Sequence, residues 1–183
     1  INDGKGKFTM ASLPVPAQFS VLNGMTVGDY DGDGNLDVLI NGNDYGTEPS
    51  LGRYDALNGL LLRGDGKGNF SPQSILQSGI YIPGDGKALV SLRSSKGKYL
   101  IAASQNKGPL KVFELKNNPK LISLEPFDES AIIHYKDGKK QKRWIGYGSS
   151  FLSQSGRFLA LDSNVVSVEI KNNKGVVRNI LLY

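Results

Sequence analysis

Four aspartates in one short loop are the residues of this chain best suited to chemistry. Asp29, Asp31, Asp33 and Asp37 take positions one, three, five and nine of the loop. Ca²⁺ accepts about six to eight oxygen ligands in a flexible geometry, and Asn35 at position seven would add its backbone carbonyl. Without a cation, the four crowded negative charges would repel one another. The spacing therefore predicts a calcium site.

The residues after the loop indicate what the loop precedes. A helix-loop-helix calcium site needs a bidentate Glu at position twelve, where this chain has Ile40. Residues 38–40 are apolar and rich in strand-forming types. The loop therefore opens a β-strand, with Gly32 and Gly34 allowing its sharp curl. The alternative is an acidic Asp-Gly turn without an ion.

The sequence also repeats itself. Residues 3–8 (DGKGKF) recur as residues 65–70 (DGKGNF), and residues 34–40 align with residues 97–103, again a turn that leads into an apolar strand. A repeat of this kind, with a shift of 62 to 63 residues between the copies, is typical of repeat architectures such as propellers. The aspartates are not repeated, because the second copy has other residues in their places: Leu92, Ser94, Lys96 and Leu100. We therefore expect one calcium ion, not two.

These features resemble the FG-GAP repeats, also called VCBS repeats. Blades of that family carry a D-x-D-x-D-G-x-x-D calcium loop and a strand that ends in a G-x-G-x-F turn. Residues 29–37 match the loop at every ligand position, and residues 60–70 resemble the strand and turn. The resemblance covers roughly residues 1–115 and implies calcium-binding propeller blades like those of integrin α chains.

The rest of the chain, from about residue 131, resembles the ASPIC/UnbV domain that often follows such repeats. The similarity lies in residues 146–155 and in the strand at residues 165–170. The chain departs from the family at residues 157–161, where an R-L-H-F-G-L-G-like stretch is usual, and at residues 171–175, where a W-P-x-G turn is usual.

The periodicity of the chain favours an all-β fold, because no long segment has a helical repeat. Two hairpins are predicted around Asp137-Gly138 and around residues 172–175. We expect a partial β-propeller of about two blades, followed by a small C-terminal β-sheet or sandwich domain. Residues 1–125 would form the repeat region, with a blade end at 1–22, a calcium-binding blade at 23–80 and a degenerate blade at 81–125. Residues 126–183 would form the second domain.

Charge is uneven along the chain. Residues 1–130 hold 13 basic and 14 acidic side chains, whereas residues 131–183 hold 9 and 3, a net charge of +6. A solvated hairpin tip explains the densest basic cluster better than a nucleic-acid site, because no stacking motif accompanies it. The cluster comprises Lys136, Lys139, Lys140, Lys142 and Arg143.

The lengths of the apolar runs, the calcium loop and the first residues predict where the protein is located and whether it continues beyond this sequence. The apolar runs are far shorter than the roughly 18 residues of a transmembrane helix. An exposed calcium loop stays filled where calcium is plentiful, so we expect an extracytoplasmic location: secreted, cell-surface or periplasmic. The chain starts at Ile1, inside a repeat, and two blades cannot close a propeller, so we expect further repeats N-terminal to it.

Catalysis finds little support in the sequence, and we expect no enzyme. The chain has no cysteine, and its single histidine, His134, lies in an alternating strand. The tripeptide Arg63-Gly64-Asp65 is recognised by integrins, but here it reads as part of a structural turn. Ser153-Gln154-Ser155 lacks a nucleophile-elbow pattern and is interpreted as a packing turn.

A long insertion between two predicted strands is the expected ligand loop. It holds Tyr45, Arg53 and Tyr54, which suit stacking on a sugar or gripping a peptide, although a flexible insertion is an equally good interpretation. The sequence thus favours a non-catalytic, calcium-stabilised binding or scaffold module for a protein or glycan ligand. The alternative is an accessory region of a carbohydrate-active enzyme, such as a propeller-type polysaccharide lyase.

Overall fold

The computed structural model describes residues 1–2 and 4–182 and confirms the all-β prediction. Asp3, the first residue of the repeated turn, lies outside the described residues. A 3-10 helix covers Val15–Gln18, and the α-helix α1 covers only Ile75–Ser78. The strands are β1 Leu22–Gly28, β2 Asp37–Gly42, β3 Leu60–Gly64, β4 Phe70–Gln73, β5 Gly86–Arg93, β6 Tyr99–Gln105, β7 Lys111–Glu114, β8 Lys120–Ser123, β9 Asp128–Tyr135, β10 Lys140–Trp144, β11 Phe158–Leu161, β12 Val165–Asn172 and β13 Val177–Leu181.

Two antiparallel meanders form the first part of the fold. Strands β1 to β4 pair in chain order, and β5 to β7 do the same. The two meanders follow the sequence repetition, and their first strands, β1 and β5, lie side by side. A Cβ on Gly24 of β1 would stand 2.7 Å from the Cβ of Leu89 of β5, so only glycine permits this approach.

The C-terminal part forms a four-stranded antiparallel sheet in the order β10-β9-β12-β13. Both hairpins predicted from the sequence are confirmed: β9 and β10 flank Asp137-Gly138, and β12 and β13 flank residues 173–176. Strand β8 pairs with β11, so residues before and after the β9–β10 hairpin share a small sheet.

Three apolar cores hold the sheets together. One lies between β2 and β3, and another lies under the C-terminal sheet. The third is shared by both meanders, with Leu39 and Leu89 inside it, and it also receives Phe158 from the C-terminal part. Burial of this shared core therefore ties the C-terminal part to the meanders.

A serine-rich segment, residues 149–156, lies along the first strands of both meanders. We call it the serine segment. The Ser150 hydroxyl accepts a hydrogen bond from the backbone amide of Met25 in β1 at 3.1 Å. On β5, the hydroxyls of Ser153 and Ser155 accept from the amides of Leu89 and Ser91 at 3.1 and 3.0 Å. The segment thus satisfies backbone donors that no neighbouring strand pairs.

The described residues include no helix that is long and apolar enough to cross a membrane, in line with the sequence.

Candidate metal centre

The predicted calcium loop connects β1 to β2 and brings three of its aspartates together. One carboxylate oxygen from each of Asp29, Asp31 and Asp37 lies within 4.8 Å of the others. Asp37 is the first residue of β2 and is 1 % exposed. A rigid strand therefore fixes one wall of the cluster, while the loop supplies the other two carboxylates.

Backbone amides inside the loop set its shape. The Asp29 carboxylate accepts hydrogen bonds from the amides of Gly32 at 2.7 Å and Gly34 at 2.9 Å. Both glycines have a left-handed φ, +83° and +82°, which favours glycine. The alternating Asp-Gly sequence thus curls the chain around the first carboxylate.

Asp37 fastens the loop to the sheet. One of its oxygens accepts from the amide of Tyr30 at 2.9 Å, and the other accepts from the amide of Gly64, at the end of β3, at 3.0 Å. A carboxylate oxygen can accept more than one bond, so each retains a lone pair for a cation.

Burial raises the pKa values of Asp29 and Asp37, although amide hydrogen bonds from Gly34 and Gly64 partly offset the effect. Nearby carboxylates raise both pKa values further. Ionisation of these two carboxyl groups therefore costs more free energy in the protein than in water. A cation among these oxygens would relieve that cost, as expected of a metal site.

Asp33 and Arg63 form a charged pair beside the cluster. The Arg63 guanidinium contacts Asp31 at 2.5 Å and Asp33 at 3.0 Å. Burial raises the pKa of Asp33, but hydrogen bonds from Asn35 and Arg63 outweigh it and hold the pKa below its usual value. Asp33 is not among the three clustered carboxylates, and it shares the Arg63 guanidinium with the clustered Asp31.

The remaining predicted ligand, Asn35, faces the C-terminal part. Its side-chain oxygen accepts from the Lys139 ammonium at 3.2 Å, and the same ammonium lies 3.5 Å from the carbonyl of Gly34. Lys139 follows the Asp137-Gly138 turn of the β9–β10 hairpin. A basic residue of the C-terminal sheet therefore contacts the loop directly.

A cleft of about 530 Å³ opens beside the loop. Asp29 and Asp31 line one side, and Asp162, from the turn between β11 and β12, lines another. The cleft gives two of the three clustered carboxylates a path to solvent, which a site that exchanges its ion requires.

The predicted ligand loop is folded back on itself. Asp44 and Tyr54 form an isolated antiparallel bridge near its two ends. The Tyr45 hydroxyl donates to the carbonyl of Pro83 at 3.2 Å, and the Arg53 guanidinium stacks 4.7 Å from the Tyr45 ring centre. Of the three predicted residues, Tyr54 presents the most accessible ring, at 51 % exposed.

The charged side chains of the Arg63-Gly64-Asp65 tripeptide both make contacts within the chain. Arg63 contacts the loop carboxylates, and the Asp65 carboxylate accepts from the amides of Lys67 at 2.7 Å and Asn69 at 3.1 Å. The geometry is that of a turn whose side chains are engaged within the chain.

His134 and the basic cluster have separate surroundings. His134 Nε2 lies 2.8 Å from Glu169 across β9 and β12. Lys142 stacks 4.1 Å from the ring centre of Trp144, while Lys139 contacts the aspartate-rich loop between β1 and β2. The predicted cluster is thus divided between different faces of the hairpin.

Sequence reasoning missed the cations that surround the loop. The sequence places Arg63 in a turn and Lys139 at a hairpin tip, and no local pattern indicates that either lies beside the carboxylates. It also missed Asn43, whose buried side chain joins the β2–β3 insertion to the residues before β5, because it donates to the carbonyls of Leu57 and Gly84.

The donor set fits a hard divalent cation, because three clustered carboxylates offer the oxygen ligands that Ca²⁺ prefers. No protein-family model matches this chain, and no curated protein matches it either.

Proposed function

We propose that this chain is a non-catalytic, calcium-stabilised module that binds or scaffolds a protein or glycan ligand outside the cytoplasm. The observation that carries the proposal is the clustering of Asp29, Asp31 and Asp37 within 4.8 Å. Calcium's role is structural: it would hold the loop and with it the start of β2.

The arrangement of the sheets supports a partial propeller of the FG-GAP type. Two antiparallel meanders lie with their first strands side by side, as consecutive propeller blades do. The metal loop joins the first two strands of one meander, and the C-terminal sheet contacts that loop through Lys139. Calcium would therefore stabilise the meander that carries the loop.

The test is thermal unfolding in excess EDTA, in 10 mM calcium and in 10 mM magnesium. At a dissociation constant of about 10⁻⁴ M, that calcium concentration stabilises the fold by roughly 2.7 kcal/mol. For a chain of this size the melting temperature should rise by about 5–10 °C. Magnesium should raise it less, because it demands stricter octahedral geometry.

Two variants identify the site. Asp31→Asn removes one clustered charge and should abolish most of the calcium shift. Asp55→Asn makes the same chemical change at an exposed residue of the β2–β3 insertion and should keep the shift. A calcium shift that survives Asp31→Asn unchanged would refute the ligand assignment, and no shift in the unaltered protein would refute calcium stabilisation.

A further inference from the structure

The C-terminal sheet ends in an open strand. In the order β10-β9-β12-β13, the last strand pairs with β12 on one side, and on its other side it pairs with no strand of the described residues. An open edge is a template for another strand, because its backbone donors and acceptors are unpaired.

The bonding pattern shows which residues of β13 face the open side. The amide of Leu182 donates to Val166, and the amide of Asn172 donates to Val176, so Val176 and Leu182 turn their bonding groups towards β12. Bonding groups alternate sides along an antiparallel strand. Those of Val177, Asn179 and Leu181 therefore point to the open edge.

The same residues carry exposed side chains. Val177 and Leu181 are 49 % and 60 % exposed, and Asn179 between them is exposed as well. Apolar residues on an exposed edge favour cross-strand contact with another chain.

Three other strands at sheet edges, β4, β7 and β10, carry devices that oppose pairing. Strand β4 contains Pro72, and β10 presents Lys140 and Lys142 on its exposed face. Strand β7 is four residues long and begins with Lys111. Proline and lysine are the usual means of blocking an edge.

Strand β13 has neither device. It contains no proline and no lysine, and its register with β12 is regular over five residue pairs. Its one charged residue, Arg178, turns the other way, since its guanidinium contacts the carboxylate of Asp128 at 2.6 and 2.7 Å.

We propose that β13 pairs antiparallel with β13 of a second copy of this chain, about a two-fold axis at Asn179. In that register Asn179 of one chain faces Asn179 of the second copy. Val177 of each chain faces Leu181 of the other. Every outward bonding group of these three residues then finds a partner, which makes six backbone hydrogen bonds. The two C-terminal sheets become one sheet of eight strands.

Electrostatics favours a second copy at this edge over the corresponding pairing of β10. Self-pairing of β10 would set lysines close together, whereas the three outward residues of β13 are uncharged. The contact is small beside the roughly 1,200–2,000 Å² of stable interfaces, so we expect a reversible dimer with a dissociation constant on the order of 100 µM.

Sedimentation velocity between 10 µM and 1 mM tests the association. The unaltered protein should shift from monomer to dimer across this range. Leu181→Lys should abolish the shift, because it places a charge against Val177 of the other copy. Val112→Lys is the matched control: Val112 is 55 % exposed on β7, and its substitution should leave the dimer intact.

A cross-link tests the register. The chain has no cysteine, so Asn179→Cys introduces a single thiol at the proposed two-fold axis. Opposed residues of an antiparallel pair lie about 5.5 Å apart at Cα, within reach of a disulfide. Mild oxidation at 200 µM should cross-link Asn179→Cys much faster than Val112→Cys.

Three results would overturn the proposal: a monomer at 1 mM, a dimer that persists in Leu181→Lys, or equal cross-linking rates for the two cysteine variants. The second result would assign the dimer to another surface of the protein. Circular dichroism of each variant confirms that the fold is retained. Because both experiments are run with and without calcium, failure of this proposal is distinct from failure of the metal assignment.

Discussion

Asn43 shows how a single side chain can hold together two segments that lie outside the strands. It is fully buried at the end of β2 with a left-handed φ of +84°. Its amide group donates to the carbonyls of Leu57 at 2.6 Å and Gly84 at 3.0 Å, and its oxygen accepts from the amide of Leu57 at 3.0 Å. Asparagine tolerates this backbone conformation better than other side chains do, apart from glycine.

Two substitutions at Asn43 separate its roles. Asn43→Gly removes the three hydrogen bonds but suits the backbone, so we expect a loss of about 2–3 kcal/mol in unfolding free energy. Asn43→Ala loses the same bonds and strains φ, so it should cost about 1 kcal/mol more. Urea unfolding measures both. Equal losses would show that the backbone relaxes at this position.

The sequence could predict the convergence of the three carboxylates but not the contacts of Asn43. Asp29, Asp31 and Asp37 converge because the nine residues 29–37 bend back on themselves, and the spacing of residue types predicts such local geometry. The partners of Asn43 lie 14 and 41 residues away, and those of Lys139 lie 104 and 105 residues away. Contacts over such distances depend on tertiary packing that no local pattern encodes.

At the scale of elements, the serine segment acts as a substitute strand for β5. The hydroxyl of Ser153 accepts from the buried amide of Leu89 and donates to the carbonyl of Phe151 at 2.7 Å. A side-chain hydroxyl replaces the carbonyl that a paired strand would offer. The edge of β5 is satisfied without continuing the sheet.

Removal of the Ser153 hydroxyl should show how much it contributes to the free energy of unfolding. In Ser153→Ala the amide of Leu89 loses its acceptor inside the protein, which should cost about 1–3 kcal/mol. Exchange of the Leu89 amide hydrogen should also accelerate. Ser163→Ala, at an exposed turn, is the control and should change unfolding free energy by less than about 0.5 kcal/mol. Equal effects from both variants would argue against the capping role.

Elements were predictable where turn chemistry was strong. Asp137-Gly138 and the Asn-rich turn after β12 located both C-terminal hairpins, because such turns constrain only a few residues. The pairing of β8 with β11 had no comparable signal: Leu121 faces Ala160, which is 39 positions later, and the β9–β10 hairpin lies between them in the chain. Strand β7 precedes β8 in the chain, yet β8 pairs with β11, and tertiary packing determines this choice.

At the scale of the whole molecule, the aspartate-rich loop between β1 and β2 is a junction between the meanders and the C-terminal sheet. Lys139 places a positive charge at the Asn35 side of the loop, 3.2 Å from its side-chain oxygen. That charge opposes a divalent cation in the loop.

Lys139→Gln should therefore raise calcium affinity by about threefold, the effect of removing one screened charge at this range. Isothermal titration calorimetry at two salt concentrations measures it, and the gain should shrink at high salt. Lys140→Gln removes the same charge from the exposed start of β10 and serves as the control. A lower affinity in Lys139→Gln would mean that the contact supports the loop instead of repelling the ion.

The serine segment also bears on the order in which the chain folds. Its hydroxyls bond to residues 64 positions earlier in β5 and 125 positions earlier in β1. Contacts of such high sequence separation close slowly, because loop-closure entropy is lost before they form. During synthesis the meanders can pair their own strands first, yet their inner edges stay open until residue 155 has been made. The period in which a nascent chain is prone to misassociation therefore lasts until the serine segment has emerged.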